Sequence, residues 1–202
     1  GLAIIDEQHK FGVKQRIELS KKGGNNCDIL LMSATPIPRT LAMTAYGDMD
    51  VSKIINKPTN RKPIITLSKP EEKIEEILFF IKNEIKKGNQ IFWVCPLIEE
   101  SKKLDYSASV KKYNFLSKKF INKVGLVHGA LSKENKDHVL NRFLDKKIDI
   151  LVSTTVIEVG IDFPNANIII IENSNKFGLS QLHQLRGRVG RSVYQGTCIL
   201  LY

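Results

Sequence analysis

Short apolar runs alternate along this chain with longer segments of helical periodicity. The runs are rich in isoleucine and valine and nearly continuous in apolar character, which is typical of parallel strands buried on both faces. Because alternating strand and helix patterns favour a parallel sheet with flanking helices, the sequence predicts an α/β fold. The predicted strands are residues 2–5, 29–32, 91–95, 123–127, 148–153, 167–172 and 197–202.

Two stretches show the periodicity of amphipathic helices. In residues 71–87 an apolar stripe of isoleucine and leucine recurs every three or four residues and ends at Gly88, a residue that favours helix termination. Residues 132–145 open with Ser132, whose hydroxyl can cap a helix, and a glutamate follows closely, which suits the first turn. The sequence therefore predicts a helix in each stretch.

A proline-containing stretch, residues 56–70, interrupts the alternation of strands and helices. It holds Pro58, Pro63 and Pro70 but no helical stripe, and proline disfavours helix at itself and at the preceding residue. We place a lobe boundary near residue 65, which divides the chain into residues 1–65 and 66–202. The second lobe has five or so predicted strands, whereas two clear strands are too few for the first to be an independent lobe.

Charge and composition limit the classes of partner. The chain of 202 residues has a formal net charge of +10, which fits a polyanionic partner or a lysine-rich solvated surface. No apolar run approaches the roughly 18 residues that cross a bilayer, so we expect no membrane contact. The three cysteines, Cys27, Cys95 and Cys198, are far apart among apolar residues. We expect reduced core thiols of a cytosolic protein.

The stretch LAIIDEQH ends the first predicted strand with two adjacent carboxylates, Asp6 and Glu7. Ligands of parallel α/β sheets bind outside the carboxyl ends of the strands. There, one carboxylate can hold Mg²⁺, usually through water, and the other can orient or deprotonate an attacking water. The pair therefore suits a nucleotide-hydrolysing site, although acidic residues after a strand are also common without such a role.

Hydroxyl side chains follow two other predicted strands. Ser33 and Thr35 lie in LLMSATPIPRT and can hydrogen-bond a neighbouring carboxylate, although a simple turn also explains them. Thr154 and Thr155 follow strand 148–153 and can contact a phosphodiester backbone. Asp162, in the turn beyond them, can accept a hydrogen bond from a ribose hydroxyl or hold an arginine.

The stretch QLHQLRGRVGR carries the strongest functional signal. Its spacing is Q-x-x-G-R-x-G-R, with Gln184, Arg188 and Arg191 at the polar positions. Arginine presents a planar fork of donors to phosphate oxygens, and the intervening glycines let the backbone turn and approach closely. The alternative is a basic surface loop that binds nucleic acid without specificity. The histidines His128, His138 and His183 fit structural roles.

These stretches together resemble the motifs of superfamily 2 helicases. DEQH, SATPIPRT, TTVIEVGIDFPNA and QLHQLRGRVGR occur in the order and spacing of motifs II, III, V and VI. The longer stretches DEQHKFGVKQR, MSATPIPRTLAMTAYGDMD and FWVCPLIEES are similar to the RecG family, and the resemblance covers essentially the whole chain. It implies RecA-like parallel sheets with flanking helices, as part of a first lobe and nearly all of a second that is truncated at its end.

The resemblance also implies an activity. RecG-type helicases use ATP and Mg²⁺ to remodel branched or forked DNA, such as stalled forks and Holliday junctions, in recombination and repair. The translocase module of the transcription-repair coupling factor is an alternative, although it typically has Asp-Glu-Glu-Gln in motif II and lacks WVCPLIEES. A non-hydrolysing nucleic-acid-binding module is another, although such a module would not need both the carboxylates and the arginines.

Residue roles follow from the motifs that match. Asp6 would bind Mg²⁺ through water, Glu7 would activate water, and Gly160 and Asp162 would flank the nucleotide. The arginine motif would face the γ-phosphate, and Thr154 and Thr155 would touch DNA. The residues that would relay nucleotide state are Gln8, His9, Ser33 and Thr35, and those facing the γ-phosphate are Gln184, Arg188 and Arg191.

No G-x-x-x-x-G-K-[ST] phosphate loop occurs in the chain. We therefore expect a fragment that begins partway through the first lobe and is inactive alone. The missing partners would be the Walker A half-lobe, a wedge domain and a carboxyl-terminal translocation segment of the same polypeptide. We expect a monomer in the bacterial cytoplasm, with an organelle as the alternative.

Overall fold

The computed structural model describes residues 1–6, 18, 27–33, 50–55, 62–96, 102–154, 163–191 and 194–202, with only the backbone of residues 102–106. The chain divides into two compact units, Gly1–Asn56 and Lys57–Tyr202. The lobe boundary near residue 65 stays a prediction.

The first unit contains a small parallel sheet. Strands β1 (Leu2–Ile5) and β2 (Asp28–Leu31) pair from Leu2 opposite Asp28 to Ile5 opposite Leu31. Leu2 is 64% exposed and Ile4 58% exposed, so the expectation of burial on both faces is wrong for this sheet. Within the described part of the unit the sheet has two strands, and a sheet of that size covers little of its own apolar surface.

The second unit is built on a six-stranded parallel sheet. Its strand order is β3-β8-β7-β4-β6-β5, and every pairing is parallel. All residues of the central strands β4, β6 and β7 are buried, as their continuous apolar sequences predict. The strands are β3 (Ile65–Lys69), β4 (Gln90–Val94), β5 (Val124–Val127), β6 (Ile150–Ser153), β7 (Ala166–Ile171) and β8 (Thr197–Leu201).

Helices cover both faces of this sheet. On one face, α1 (Ile74–Lys86) and α2 (Lys102–Lys119) pack on a cluster that contains Trp93. On the other, α3 (Lys133–Leu144) and α4 (Leu179–Arg186) pack on a cluster that contains Phe92. Short 3₁₀ turns cover Glu71–Lys73 and Ser174–Lys176. Three layers around a parallel sheet confirm the predicted fold class.

Three elements of the second unit have no counterpart among the predicted ones. Strand β3 is an edge strand between Pro63 and Pro70, and Leu67 in it is 43% exposed, so it lacks the buried apolar run that marks the central strands. In α2 and α4, lysines, serines and glutamines interrupt any apolar stripe. The predicted helices at 71–87 and 132–145 are present, and Ser132 caps α3 by accepting a hydrogen bond from the Asn135 amide at 3.3 Å.

Two further observations bear on the expectations from composition. Among the described helices, none has the length and apolar character that a membrane span requires. Cys95 and Cys198 are buried free thiols, as expected, whereas Cys27 is only half-buried because it precedes the exposed sheet of the first unit.

Candidate functional site

The carboxyl edge of the first unit holds two of the predicted site residues. Asp6 directly follows β1, and Ser33 lies two residues beyond β2. The parallel pairing continues past the strands, since the Met32 amide donates to the Ile5 carbonyl at 2.8 Å. Asp6 and Ser33 are therefore delivered to the same edge of the sheet, with Asp6 exposed to solvent.

Seven of the predicted site residues lie outside the described part of the chain. They belong to the acidic motif, to the second hydroxyl motif and to the segment between β6 and β7. They are Glu7, Gln8, His9, Thr35, Thr155, Gly160 and Asp162.

The carboxyl edge of the second unit, where strands β3 to β8 end, carries Thr154. This residue follows β6 and is 2% exposed. Ser153 beside it is also buried, and its hydroxyl makes no hydrogen bond within the described residues. His128 follows β5. Because Val127 in β5 pairs with Ser153 in β6, His128 and Thr154 leave the sheet from neighbouring strands. Buried polar side chains at this edge are suited to a ligand that has hydrogen-bonding groups of its own.

The surroundings of His128 favour its neutral form. Burial lowers the pKa of the imidazole below its ordinary value, and the positive charge of Lys136 lowers it further. His138 and His183 are exposed on α3 and α4.

A buried polar cluster that the motifs did not indicate lies at the same edge. The Lys112 ammonium forms an ion pair with Glu172, which follows β7. The Cys95 thiol, which follows β4, donates to Glu172 Oε2 at 3.4 Å. Burial raises the pKa of this thiol strongly, and the Glu172 carboxylate adds to the effect. Lys112 Nζ also lies 5.2 Å from the centre of the Trp93 ring. Cys95 is therefore a protonated structural thiol, not a nucleophile.

The predicted arginines lie in the turn after α4, residues 187–191, which we call the arginine loop. The helix runs into it through hydrogen bonds from the Gly187 amide to the His183 carbonyl and from the Arg188 amide to the Leu185 carbonyl, each 3.0 Å long. Val189 anchors the loop because its side chain is fully buried in the core. Gln184 lies one turn earlier on the helix and is partly buried.

The loop leaves its arginines accessible to a ligand. Arg188 is partly exposed and Arg191 is exposed, and Arg191 Nε donates to the Gly187 carbonyl at 3.2 Å, which folds the loop back on itself. Gly190 has φ of +66°, a conformation that glycine adopts at low cost. Two guanidinium groups on an anchored turn form an arrangement suited to phosphate.

The arginine loop packs against the segment that leads into β3, residues 62–64, which we call the entry segment. Arg186 Nη2 donates to the Ile64 carbonyl at 3.4 Å, and Gln195 Nε2 donates to the Pro63 carbonyl. The Ile65 amide in turn donates to the Gly196 carbonyl at 2.9 Å. The sequence did not indicate Arg186 or Gly196. Arg186 lies beside Arg188 and Arg191, which match the specified positions of the motif, and Gly196 belongs to no motif.

The predicted residues of the second unit fall at opposite edges of its sheet. Thr154 lies at the carboxyl edge, whereas the arginine loop contacts Gly196, which directly precedes β8 at the amino edge. Strands of four to six residues separate the two edges by about 15 Å at ~3.3 Å per residue. The two sets can therefore serve two different ligands, a polyanion backbone at one edge and a phosphate at the other.

Known proteins resemble this chain in sequence and in structure. Residues 70–193 match the family described as the helicase conserved C-terminal domain. The chain is 53% identical over 203 residues to the ATP-dependent DNA helicase RecG of Thermotoga maritima, an alignment that covers 100% of this chain and 26% of that protein. Across two such RecG helicases, the chain spans 26% and 30% of their length.

Solved structures agree with the fold. A structure of RecG bound to a three-way DNA junction is 47% identical, has a TM-score of 0.77, and is matched over 100% of this chain and 26% of its own. Mycobacterium smegmatis helicase Lhr bound to ssDNA and AMP-PNP, at 16% identity and a TM-score of 0.70, shares the fold over 99% of this chain and 28% of its own. The resemblance to RecG helicases and the predicted fold class are thus confirmed.

Proposed function

This chain belongs to the family of the helicase conserved C-terminal domain, and we propose that it works within a RecG-type ATP-dependent DNA helicase that remodels branched DNA. The observation that carries the proposal is the identity of 53% to a RecG helicase over the whole chain. The anchored arginine loop supports it, because a hydrolytic motor needs cations at the phosphate that it cleaves. Branched DNA as the partner is supported by the RecG structure that holds a three-way junction.

The arginines act on the charge that develops during phosphoryl transfer. Arg188 and Arg191 present planar donors from a loop whose backbone is fixed by Val189 in the core. Such donors stabilise the transition state most when they need no reorganisation at the moment of reaction. Gln184 completes the set from the preceding helical turn, and Gly160 and Asp162 contact the nucleotide from the segment after β6.

The predicted acidic residues belong to the first unit. Asp6 would hold Mg²⁺, and Glu7 would orient the attacking water. The chemistry of Asp6 fits the ion, because an exposed carboxylate oxygen together with substrate phosphates is the usual donor set for Mg²⁺. The described residues contain no group of three or more such side chains that would form an all-protein metal site. Bound Mg²⁺ would neutralise charge on the phosphates.

DNA binds at the carboxyl edge of the second unit. Thr154 and Thr155 donate to the phosphodiester backbone, and the net charge of +10 favours a polyanion. Gln8, His9, Ser33 and Thr35 relay the state of the nucleotide to the DNA. The motor is a monomer in the bacterial cytoplasm, built from two lobes at residues 1–65 and 66–202 together with further parts of the same polypeptide.

The substitution Arg188→Lys in the intact helicase tests this assignment. Lysine keeps the positive charge but loses the planar fork, and arginines that contact a transferring phosphoryl group contribute roughly 10³–10⁵ in rate. We expect ATPase activity and unwinding of a branched substrate to fall together by at least ~10²-fold, with ATP affinity changed much less. Steady-state ATPase assays and equilibrium binding of a non-hydrolysable ATP analogue measure the two quantities.

Glu7→Gln serves as the companion variant from the other unit. It should bind ATP and fail to hydrolyse it, because the amide cannot take a proton from water. If Arg188→Lys hydrolyses ATP normally and loses DNA binding instead, the arginine loop belongs to the DNA groove and the proposed role is wrong.

A further inference from the structure

We propose that Gly196 and Arg186 are positioning residues, which hold the arginine loop in place against the entry segment. The inference rests on the proposed role of Arg188 and Arg191 at the nucleotide. It adds Arg186, at an unspecified position of the Q-x-x-G-R-x-G-R motif, and Gly196, which lies beyond the motif. It also identifies the chain segment that fixes the position of the loop.

The first line of evidence is a contact between two backbones. A Cβ atom added at Gly196 would lie 2.9 Å from Gly190 Cα and 3.0 Å from Gly190 N. Those atoms are backbone, so they cannot rotate away as a flexible side chain would. Gly190 itself has φ of +66°, and an added Cβ there would lie 3.2 Å from Ile64 Cγ1. At Gly196 the arginine loop therefore packs backbone against backbone, with no room for a side chain.

The second line of evidence is a set of polar contacts to the entry segment. Arg186 and Gln195 flank the arginine loop, and they donate to the carbonyls of Ile64 and Pro63 respectively. Arg186 is partly buried, so its guanidinium is partly shielded from solvent. The loop is therefore held to the entry segment on both of its sides.

The entry segment belongs to the same unit as the arginine loop. The second unit begins at Lys57 and includes both residues 62–64 and residues 187–191. The contacts that hold the loop in place are therefore internal to one compact unit.

Gly196→Ala in the intact helicase tests the proposal. The new Cβ must displace Gly190 by a few tenths of an ångström, and small misplacements of reacting groups cost up to about 10²-fold in rate. We expect kcat for ATP hydrolysis to fall by at least ~10-fold, with KM for ATP within about threefold. Affinity for ADP with aluminium fluoride, a transition-state mimic, should fall in parallel, while affinity for a non-hydrolysable ATP analogue is kept.

Gly129→Ala is the matched control, because a Cβ at Gly129 meets nothing within 4 Å. A drop in kcat for Gly196→Ala with the control unchanged supports the proposal. An unchanged kcat in a Gly196→Ala protein that folds, or equal losses in both variants, overturns it.

Arg186 provides a second test that does not depend on steric tolerance. Arg186→Met removes the donor to the Ile64 carbonyl, whereas Arg186→Lys retains a charged donor on a similar stem. We expect kcat to fall in the methionine variant and to recover at least partly in the lysine variant, with thermal unfolding alike in the two. Equal kcat in both variants overturns the role of Arg186. If Arg188→Lys is fully active, the proposed function has failed, and that result is distinct from full activity in the Gly196 and Arg186 variants alone.

Discussion

The two edges of the six-stranded sheet are built on different principles. At the amino edge, the arginine loop is seated by backbone, with Gly190 against Gly196 and carbonyls as acceptors. At the carboxyl edge, the packing depends on buried polar side chains, with the Lys112–Glu172 ion pair and the thiol of Cys95 in contact. The amino edge is therefore sensitive to an added atom, and the carboxyl edge to a removed charge.

The largest loss of stability is expected from substitution of Lys112 at the carboxyl edge. Lys112→Met leaves the Glu172 carboxylate buried without its cation, and breaking such a pair costs about 3 kcal/mol of unfolding free energy, allowing for partial exposure of the lysine. Denaturant unfolding, followed by fluorescence of Trp93, reports on the second unit, since Trp93 is the one tryptophan of the chain and is fully buried.

The double variant Lys112→Met with Glu172→Gln is the control for that measurement. Removing both charges restores most of the lost stability, because an unpaired buried charge causes the penalty. Equal destabilisation in the single and the double variant would show that packing of the lysine stem, not charge, holds this edge together.

The reactivity of the cysteine thiols differs between the six-stranded sheet and the first unit. At pH 8, Cys27 should react quickly with a disulfide reagent, whereas Cys95 and Cys198 should react at least ~10²-fold more slowly because they are buried. Burial also raises the pKa of Cys198 to about 11, which leaves a thiolate fraction of ~10⁻³ at that pH. The rapid phase should disappear in Cys27→Ser, and three equally fast thiols would contradict the buried assignment.

The smallest expected effect is the pH dependence caused by His128 at the carboxyl edge. Its folded pKa is lowered, so the unfolded chain binds the proton more readily. The contribution of His128 to the free energy of unfolding is therefore complete above the ordinary pKa of 6.5, and it decreases as pH falls from there towards the folded pKa. Between pH 7.5 and 5.5, the free energy of unfolding should decrease less in His128→Gln than in the parent chain, as denaturant unfolding at each pH measures.

The sequence predicted the fold where burial and secondary structure coincide. Strands β4, β6 and β7 are continuous apolar runs because helices cover both of their faces, so the pattern and the environment agree. Among the described strands, β3 pairs with β8 at the edge of the sheet, where a strand needs no continuous apolar run. Conversely, β1 has an apolar run and is largely exposed, since an apolar pattern specifies a strand but not what covers it.

The candidate site was predictable only where chemistry follows from residue type. Carboxylates and arginines with regular spacing indicate nucleotide hydrolysis, which is why the sequence predicts Asp6, Arg188 and Arg191 as site residues, and their roles stay predictions. Gly196 has no functional side chain. Its role depends on contact with the backbone of Gly190, which forms only when the arginine loop folds. Glu172 and Lys112 are common residues sixty positions apart, and nothing local marks them as a pair.

The pairing of β3 with β8 has a consequence for synthesis of the protein. Ile65 pairs with Thr197, so the strand that opens the second unit waits for a partner about 130 residues away. At about 5–20 residues per second, a ribosome needs roughly 7–26 s to deliver that partner. Throughout that interval β3 lacks its partner strand β8, and the entry segment lacks the arginine loop that packs on it. The nascent chain therefore completes its central strands first and gains its arginine site last.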